Sequence, residues 1–186
     1  MKLLLIRHGA TQGNLEHRYI GRTDEPLALQ GMITLQTKHY PACEVLAVSP
    51  LRRCVQTAEL LFPGQEMRLC PDFRECDFGR FEGKNYAELN GDPVYQSWID
   101  SGGTAPFPDG ETPAAFRARC TAAFAQLVRQ CTGAESLAIV AHGGTMMSIL
   151  SAYDGGDYFS YQMPNSAAYV CEFAEDSNLI KGLERL

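Results

Sequence analysis

Several large classes are excluded by what this 186-residue chain lacks. There is no Cys-x-x-Cys pair, although seven cysteines are present: Cys43, Cys54, Cys70, Cys76, Cys120, Cys131 and Cys171. Their odd number and their scatter through apolar segments read as buried small hydrophobes in a reducing cytoplasm, not as a disulfide frame or a metal site. No apolar run approaches membrane-spanning length, and Met1 to Ile6 is too short for a signal-peptide core before Arg7 and His8, so a cytoplasmic location without membrane association is expected. Positive charge is in short supply: 16 Lys plus Arg stand against 22 Asp plus Glu, a net charge of -6, which argues against nucleic-acid partners. Repeats, low-complexity tracts and long linkers are missing, and at roughly 150 residues per domain the whole span 1–186 is expected to form one domain. Three nucleotide- and phosphate-handling signatures are absent as well: Gly-x4-Gly-Lys-Ser/Thr, Gly-x-Gly-x-x-Gly and Cys-x5-Arg. No metal-ligand spacing is found, so neither metal nor other cofactor is expected.

What remains is 45% hydrophobic and 20% charged, enough to build a core. Three continuous apolar runs, Leu3–Ile6, Val45–Val48 and Leu137–Ala141, predict strands covered on both faces. Phe116, Cys120, Ala123, Phe124, Leu127, Val128 and Cys131 recur at helical spacing and predict an amphipathic helix. Weaker helical patterns cover about 29–39, 52–61 and 145–152, and strands are expected at 167–173 and from Leu179. The expected fold is α/β, a three-layer α/β/α sandwich around a mostly parallel sheet. The segment from about 71 to 111 has no clean period and many Gly, Pro, Asp and aromatic residues, and reads as a lid-like excursion over the sheet edge.

Ligands of open α/β sheets sit beyond the carboxyl ends of the strands. Arg7-His8-Gly9 follows the first run, Ser49-Pro50-Leu51-Arg52 the second, and His142-Gly143-Gly144-Thr145 the third. Two arginines and two histidines thereby converge at one sheet edge and form a cationic pocket on an acidic chain. Arginine's planar fork matches phosphate, and a Gly-Gly step opening a helix offers unobstructed N–H groups. A neutral imidazole adds a lone pair able to attack phosphorus. Taken singly, Arg7-His8-Gly9 is weak, since His8 reads equally as a hydrogen-bonded histidine at a strand end; the convergence is what carries the argument.

These stretches resemble the histidine phosphatase superfamily, also called phosphoglycerate mutase-like. The resemblance rests on Leu5-Ile6-Arg7-His8-Gly9-Ala10-Thr11-Gln12-Gly13-Asn14, Arg18 to Leu27, Leu29-Gln30-Gly31, Ser49 to Ala58, Glu75 to Gly83, Gly110-Glu111-Thr112 and Val140-Ala141-His142-Gly143-Gly144. It runs in order from residue 2 to about 150. It implies that His8 is a nucleophile that becomes transiently phosphorylated, that Arg7, Arg52, His142 and Asn14 hold the phosphate oxygens with Gly143 beside them, and that Glu75 is the proton donor. The implied partner is a small-molecule phosphate ester, with α-ribazole phosphatase-like proteins among the similar branches. The enzyme alternative is a cofactor-dependent mutase; the non-enzyme alternative is a phosphate-binding member of the same fold. The chain lacks the mutases' longer insertion and their Glu-Arg-x-Tyr-Gly pattern, with Glu75-Cys76-Asp77-Phe78-Gly79 in its place. The oligomeric state is left open.

Arg22 is open between a substrate contact and a purely structural role. Arg53 is expected to face solvent or a helix partner, Glu82 to bond backbone near Gly83, Phe81 to pack against the lid, and His17 and His39 to be surface histidines. Asn165 and Ser166 are expected near the border of the site. Phe78, Phe81, Tyr86, Tyr95, Trp98 and Phe107 form either a stacking wall or the lid's own core. Asp100-Ser101-Gly102-Gly103 lacks the strand context of a serine nucleophile and reads as a loop.

Overall fold

A computed structural model describes residues 1–174 and 176–186. In chain order the elements are β1 (Lys2–Arg7), α1 (Gln12–Leu15), α2 (Leu29–Gln36), β2 (Val45–Val48), α3 (Arg52–Leu61), β3 (Met67–Leu69), α4 (Tyr86–Leu89), α5 (Pro93–Asp100), α6 (Pro113–Gln130), β4 (Ser136–Ala141), α7 (Gly143–Tyr153), β5 (Ala168–Ala174) and β6 (Leu179–Arg185). The sheet order is β3-β2-β4-β1-β5-β6. The first four strands in that order run parallel, and β5 and β6 add antiparallel pairs at one side.

The continuous apolar runs are explained by burial on both faces. Leu3 and Leu5 of β1, with Leu137 and Ile139 of β4, meet Phe124 and Leu127 of α6 and Met146 and Ile149 of α7. The intervening residues Leu4, Ile6, Ala138 and Val140 turn the other way, onto Cys54 and Ala58 of α3. An in/out alternation of polar and apolar residues would have left one face wet. The strand β3, three residues long with Leu69 exposed, has too little burial to show in the sequence.

The helix starts are set by local chemistry. Thr112 accepts from Ala115 N–H at 3.1 Å and Pro113 follows it, so α6 opens with a side-chain cap and a residue whose missing N–H costs nothing there. Leu51 cannot cap α3; instead Asp24, from a distant loop, accepts the Arg52 N–H at 2.6 Å. Between β3 and α6 the excursion carries two short 3-10 turns, α4 and α5. It has its own apolar cluster of Cys76, Phe81, Leu89 and Phe107 with Phe116 and Cys120 of α6, and Tyr19, Phe78, Tyr95 and Trp98 packed against it. Phe81, 1% exposed, lies near the centre of a set of edge-to-face and tilted ring pairs, whereas Tyr86 is exposed. No described helix is long and apolar enough to cross a membrane. All seven cysteines are free thiols, five of them buried.

Candidate active site

The parallel register builds the site. Arg7 pairs with Ala141 across β1 and β4, so the residues after each strand, His8 and His142, fall side by side. Their ring centroids are 5.1 Å apart in an edge-on arrangement. Both are buried, and burial, followed by the charges of Arg53 and Arg7, pushes both imidazoles well below their ordinary range, so both are neutral at pH 7.

His8 is held on every side. Its N–H donates to Ala141 O at 3.0 Å, and its carbonyl accepts from Ser166 N at 3.1 Å and from Asn165 Nδ2 at 3.1 Å. Its Nδ1 lies 2.7 Å from Gly9 O, an acceptor only, so Nδ1 carries the proton and the lone pair is on Nε2. His142 Nε2 is 2.8 Å from Ser49 Oγ, and Cys54 Sγ lies 3.5 Å from the same nitrogen.

Arg7 donates from one terminal nitrogen to Met163 O at 2.5 Å, while its Nε is buried without a partner. Gly143 opens α7 directly beside it, where an added Cβ would touch the guanidinium at 3.4 Å. Asn14 uses its Oδ1 to accept from Thr11 N at 3.2 Å and Asn165 Nδ2 at 3.1 Å, which leaves its amide N–H groups at the cavity wall. Glu75 receives Cys76 N at 2.9 Å and Gly144 N at 3.1 Å. Burial raises its carboxyl above the ordinary range, opposed by those two N–H groups and by Arg53 and Arg7. A side chain at Gly144 would collide with Glu75 Oε1 and sit 2.9 Å from the Phe116 ring, so glycine is required for this approach.

The second arginine differs from the expectation. Arg52 is exposed, and its side chain makes no hydrogen bond among the described residues. Arg53, expected to face solvent or a helix partner, is 0% exposed; it donates to Thr23 O at 2.7 Å and Gly21 O at 2.8 Å, and its charge bears on both histidines. The reason is helix geometry: at about 100° per residue, Arg52 stands roughly 160° from Cys54, the sheet-facing residue, and points away. Thr57, one turn after Arg53, accepts Gly9 N at 3.0 Å and so ties α3 to the His8 loop.

Other expectations are refined. Arg22 is exposed and paired with Asp77 at 3.0 Å, away from the cavity lining. Glu82 does bond backbone, but at Gly21 and Thr23 (2.8 and 2.9 Å), the same two residues whose carbonyls hold Arg53. His17 and His39 are exposed, and His17 also borders the cavity. Asn165 is a member of the site through His8 and Asn14, and Ser166 supports the His8 carbonyl in a left-handed backbone conformation (φ 62°). Ser101, at the end of α5, donates its hydroxyl to Trp98 O, as a loop residue would. The cavity above these groups measures about 640 Å³ and is lined by Arg7, Asn14, Glu75 and Gly143 at one end and by Phe78, Trp98, Phe107, Arg117, Tyr158 and Phe159 elsewhere. Among the described residues, no group of three or more His, Cys, Asp or Glu side chains is arranged to hold a metal ion.

The chain belongs to the histidine phosphatase superfamily (branch 1), whose family model matches residues 3–185. It is similar to the uncharacterized phosphatase PhoE of Bacillus subtilis, 31% identical over 95% of this chain and 91% of that protein. The adenosylcobalamin/alpha-ribazole phosphatase of Escherichia coli is 26% identical over 83% of this chain and 80% of its own. The solved alpha-ribazole phosphatase from Shigella flexneri shares the fold, with a TM-score of 0.87 over 100% of this chain and 96% of that one at 24% identity.

Proposed function

We propose that this chain is a metal-independent phosphatase that hydrolyses a small-metabolite phosphomonoester through a phosphohistidine on His8. The observation that carries the reading is the 2.7 Å contact from His8 Nδ1 to Gly9 O, in a ring kept neutral by burial beside two arginines. A neutral imidazole with its proton fixed on Nδ1 has a lone pair on Nε2 ready to attack phosphorus, and no base is needed to activate it.

In the first half-reaction, Nε2 forms a bond to phosphorus as the ester P–O bond breaks, and Glu75, protonated, gives its proton to the departing oxygen. In the second, Glu75 as carboxylate takes a proton from water, the water oxygen bonds to phosphorus, the P–N bond breaks and His8 is regenerated. The raised carboxyl of Glu75 suits this exchange of roles. In this reading Arg7, Arg53, the Asn14 amide, His142 and the Gly143 N–H would meet the three equatorial oxygens, where phosphoryl transfer spreads its charge. His142 acts as a donor to the phosphate in the tautomer in which the Ser49 hydroxyl, 2.8 Å away, donates to Nε2 and the ring proton sits on Nδ1. Phosphatase is preferred over mutase because the chain lacks a long insertion to shield the phosphohistidine from water, and relatives covering most of its length are named phosphatases.

The test is phosphate release in EDTA from p-nitrophenyl phosphate and a panel including 3-phosphoglycerate and α-ribazole phosphate. His8→Ala is expected to lose turnover by about ten-thousand-fold or more. Glu75→Gln is expected to slow alkyl esters by roughly a hundred- to ten-thousand-fold, and p-nitrophenyl phosphate much less, because that leaving group needs little protonation. Turnover indifferent to His8 would refute the reading, and equal losses on both ester types would remove Glu75 as the acid.

A further inference from the structure

Two arginines two residues apart on α6 have opposite fates. Arg119 is fully used: it holds Glu111 with two bonds at 2.8 and 3.0 Å and donates to the carbonyls of Asp72 and Arg74. Arg117 faces the cavity, its side chain makes no hydrogen bond or ion pair among the described residues, and its Nε is buried without a partner. Its guanidinium carbon lies over the Tyr158 ring, 3.8 Å from the centroid. Burial pushes the Tyr158 phenol up, so the ring under the cation is neutral and supplies only the attraction of its face.

The charges on the rest of the wall leave Arg117 without a counter-ion. Of the arginines lining the cavity, Arg7 belongs to the phosphate end, and Arg18 is neutralised by Glu16 at 2.6 Å and Glu88 at 2.7 Å. The one lining carboxylate among the described residues is Glu75, which is spent on two backbone N–H groups. A guanidinium that has given up part of its water and gained no acceptor is costly to keep, and its planar fork fits a carboxylate with two parallel bonds. The reacting phosphate is already met at the other end by Arg7, Arg53 and the His8–His142 pair. The acceptor for Arg117 therefore has to come with the organic part of the substrate. The aromatic wall of Phe78, Trp98 and Phe107 would accommodate an uncharged ring, but a ring would leave Arg117 unanswered.

We propose that Arg117, seated on Tyr158, is a specificity-determining residue that receives a carboxylate on the organic part of the ester, so that the substrates are phosphorylated small carboxylic acids. The proposal rests on the reading of the His8 pocket as a phosphomonoesterase.

The test uses ester pairs that differ in the carboxylate: 3-phosphoglycerate against glycerol 3-phosphate, and O-phosphoserine against O-phosphoethanolamine. For the wild type, kcat/KM for the carboxylated member is expected to exceed that of its partner by about tenfold or more, the scale of one charge-assisted bond. Arg117→Gln is expected to bring the ratio below about threefold, mainly through KM, and Arg117→Lys to restore part of it, with thermal unfolding confirming that both variants fold. No preference in the wild type, or a preference that survives Arg117→Gln, would overturn the proposal. Calorimetric binding of the same pairs to His8→Ala, with and without Arg117→Gln, separates the two readings. Failure of the wild type to hydrolyse p-nitrophenyl phosphate counts against the phosphatase, while the presence or absence of an Arg117-dependent carboxylate preference in binding decides the subsite.

Discussion

His8 and His142, at one end of the cavity, hang from the ends of two paired parallel strands, with Arg53 fixed by two loop carbonyls and Asn165 bridging the His8 carbonyl and Asn14. Trp98 and Phe159, at the other, come from α5 and from a 3-10 turn over Tyr158–Tyr161, and they meet their neighbours through ring faces and edges. The first end is determined by directional bonds to a sheet that is buried on both sides, so its groups have almost no freedom to rearrange. The second is held by dispersion and burial, which tolerate a change of shape provided that volume is kept. The contrast teaches where each property would belong under the proposed function: a reaction that needs fixed donors at the strand ends, and substrate choice in a wall that can vary without disturbing them.

The largest expected effect sharpens this division at the His8–His142 end. Arg53→Ala is expected to lower kcat/KM for p-nitrophenyl phosphate by roughly a hundred- to a thousand-fold, as for other fixed donors to a developing charge. Arg52→Ala should change it less than about threefold. A steady-state comparison of the two variants checks this, and the reverse order would break the account of the site. At the other end, Phe81→Ala removes a ring from the middle of the aromatic cluster and should cost about 3–5 kcal/mol of stability in urea titration. Under conditions where that variant remains folded, inhibition by vanadate should stay within about threefold of wild type; a loss of tenfold or more would show that the two ends are not separable.

The smallest effect concerns pH. Both buried imidazoles are depressed below the usual 6.5, so below about that pH the unfolded chain binds protons that the folded chain refuses, and stability falls as the solution is acidified. Each histidine contributes up to about 1.4 kcal/mol per pH unit. Glu75, raised above 4.5, has the opposite sign: its burial destabilises the fold at neutral pH, and that penalty is relieved as pH falls toward the carboxylate range. His8→Asn should therefore flatten the decline in urea midpoint between about pH 6.5 and 5.5 by up to one proton's worth, and an unchanged slope would mean that His8 is not held neutral.

The placement of His8 and His142 together was largely legible in the sequence because they follow strand ends, and strands buried on both faces announce themselves as unbroken apolar runs. Arg7, His8, His142 and Gly143 fall together for that reason. Arg53 is legible in principle: the spacing of Cys54 and Ala58 sets the sheet-facing side of α3 and turns Arg52 outward, even though Arg52 is the first residue of the helix and so nearer the strand end. Asn165 was placed only near the border, since its role depends on a loop crossing back over β1, a contact across 157 residues that leaves no local pattern. The segment from about 71 to 111 was legible only as an excursion. Its helices are short, α4 and α5 opening on Asn85 and Asp92 caps, and its aromatic cluster draws on Tyr19 and Phe116 from outside the segment. Arg117 was hidden for a related reason: at helical spacing it reads as the polar face of α6, and only the fold shows that this face looks into a cavity.

The most direct test of the central claim is to quench the protein during turnover of p-nitrophenyl phosphate in EDTA and map any phosphoryl group by mass spectrometry under conditions that spare phosphohistidine. The account predicts an acid-labile phosphoryl group on His8, absent in His8→Ala and accumulating further in Glu75→Gln, where water is no longer deprotonated. Turnover without a phosphoryl group on His8, or with one on another residue, would contradict it.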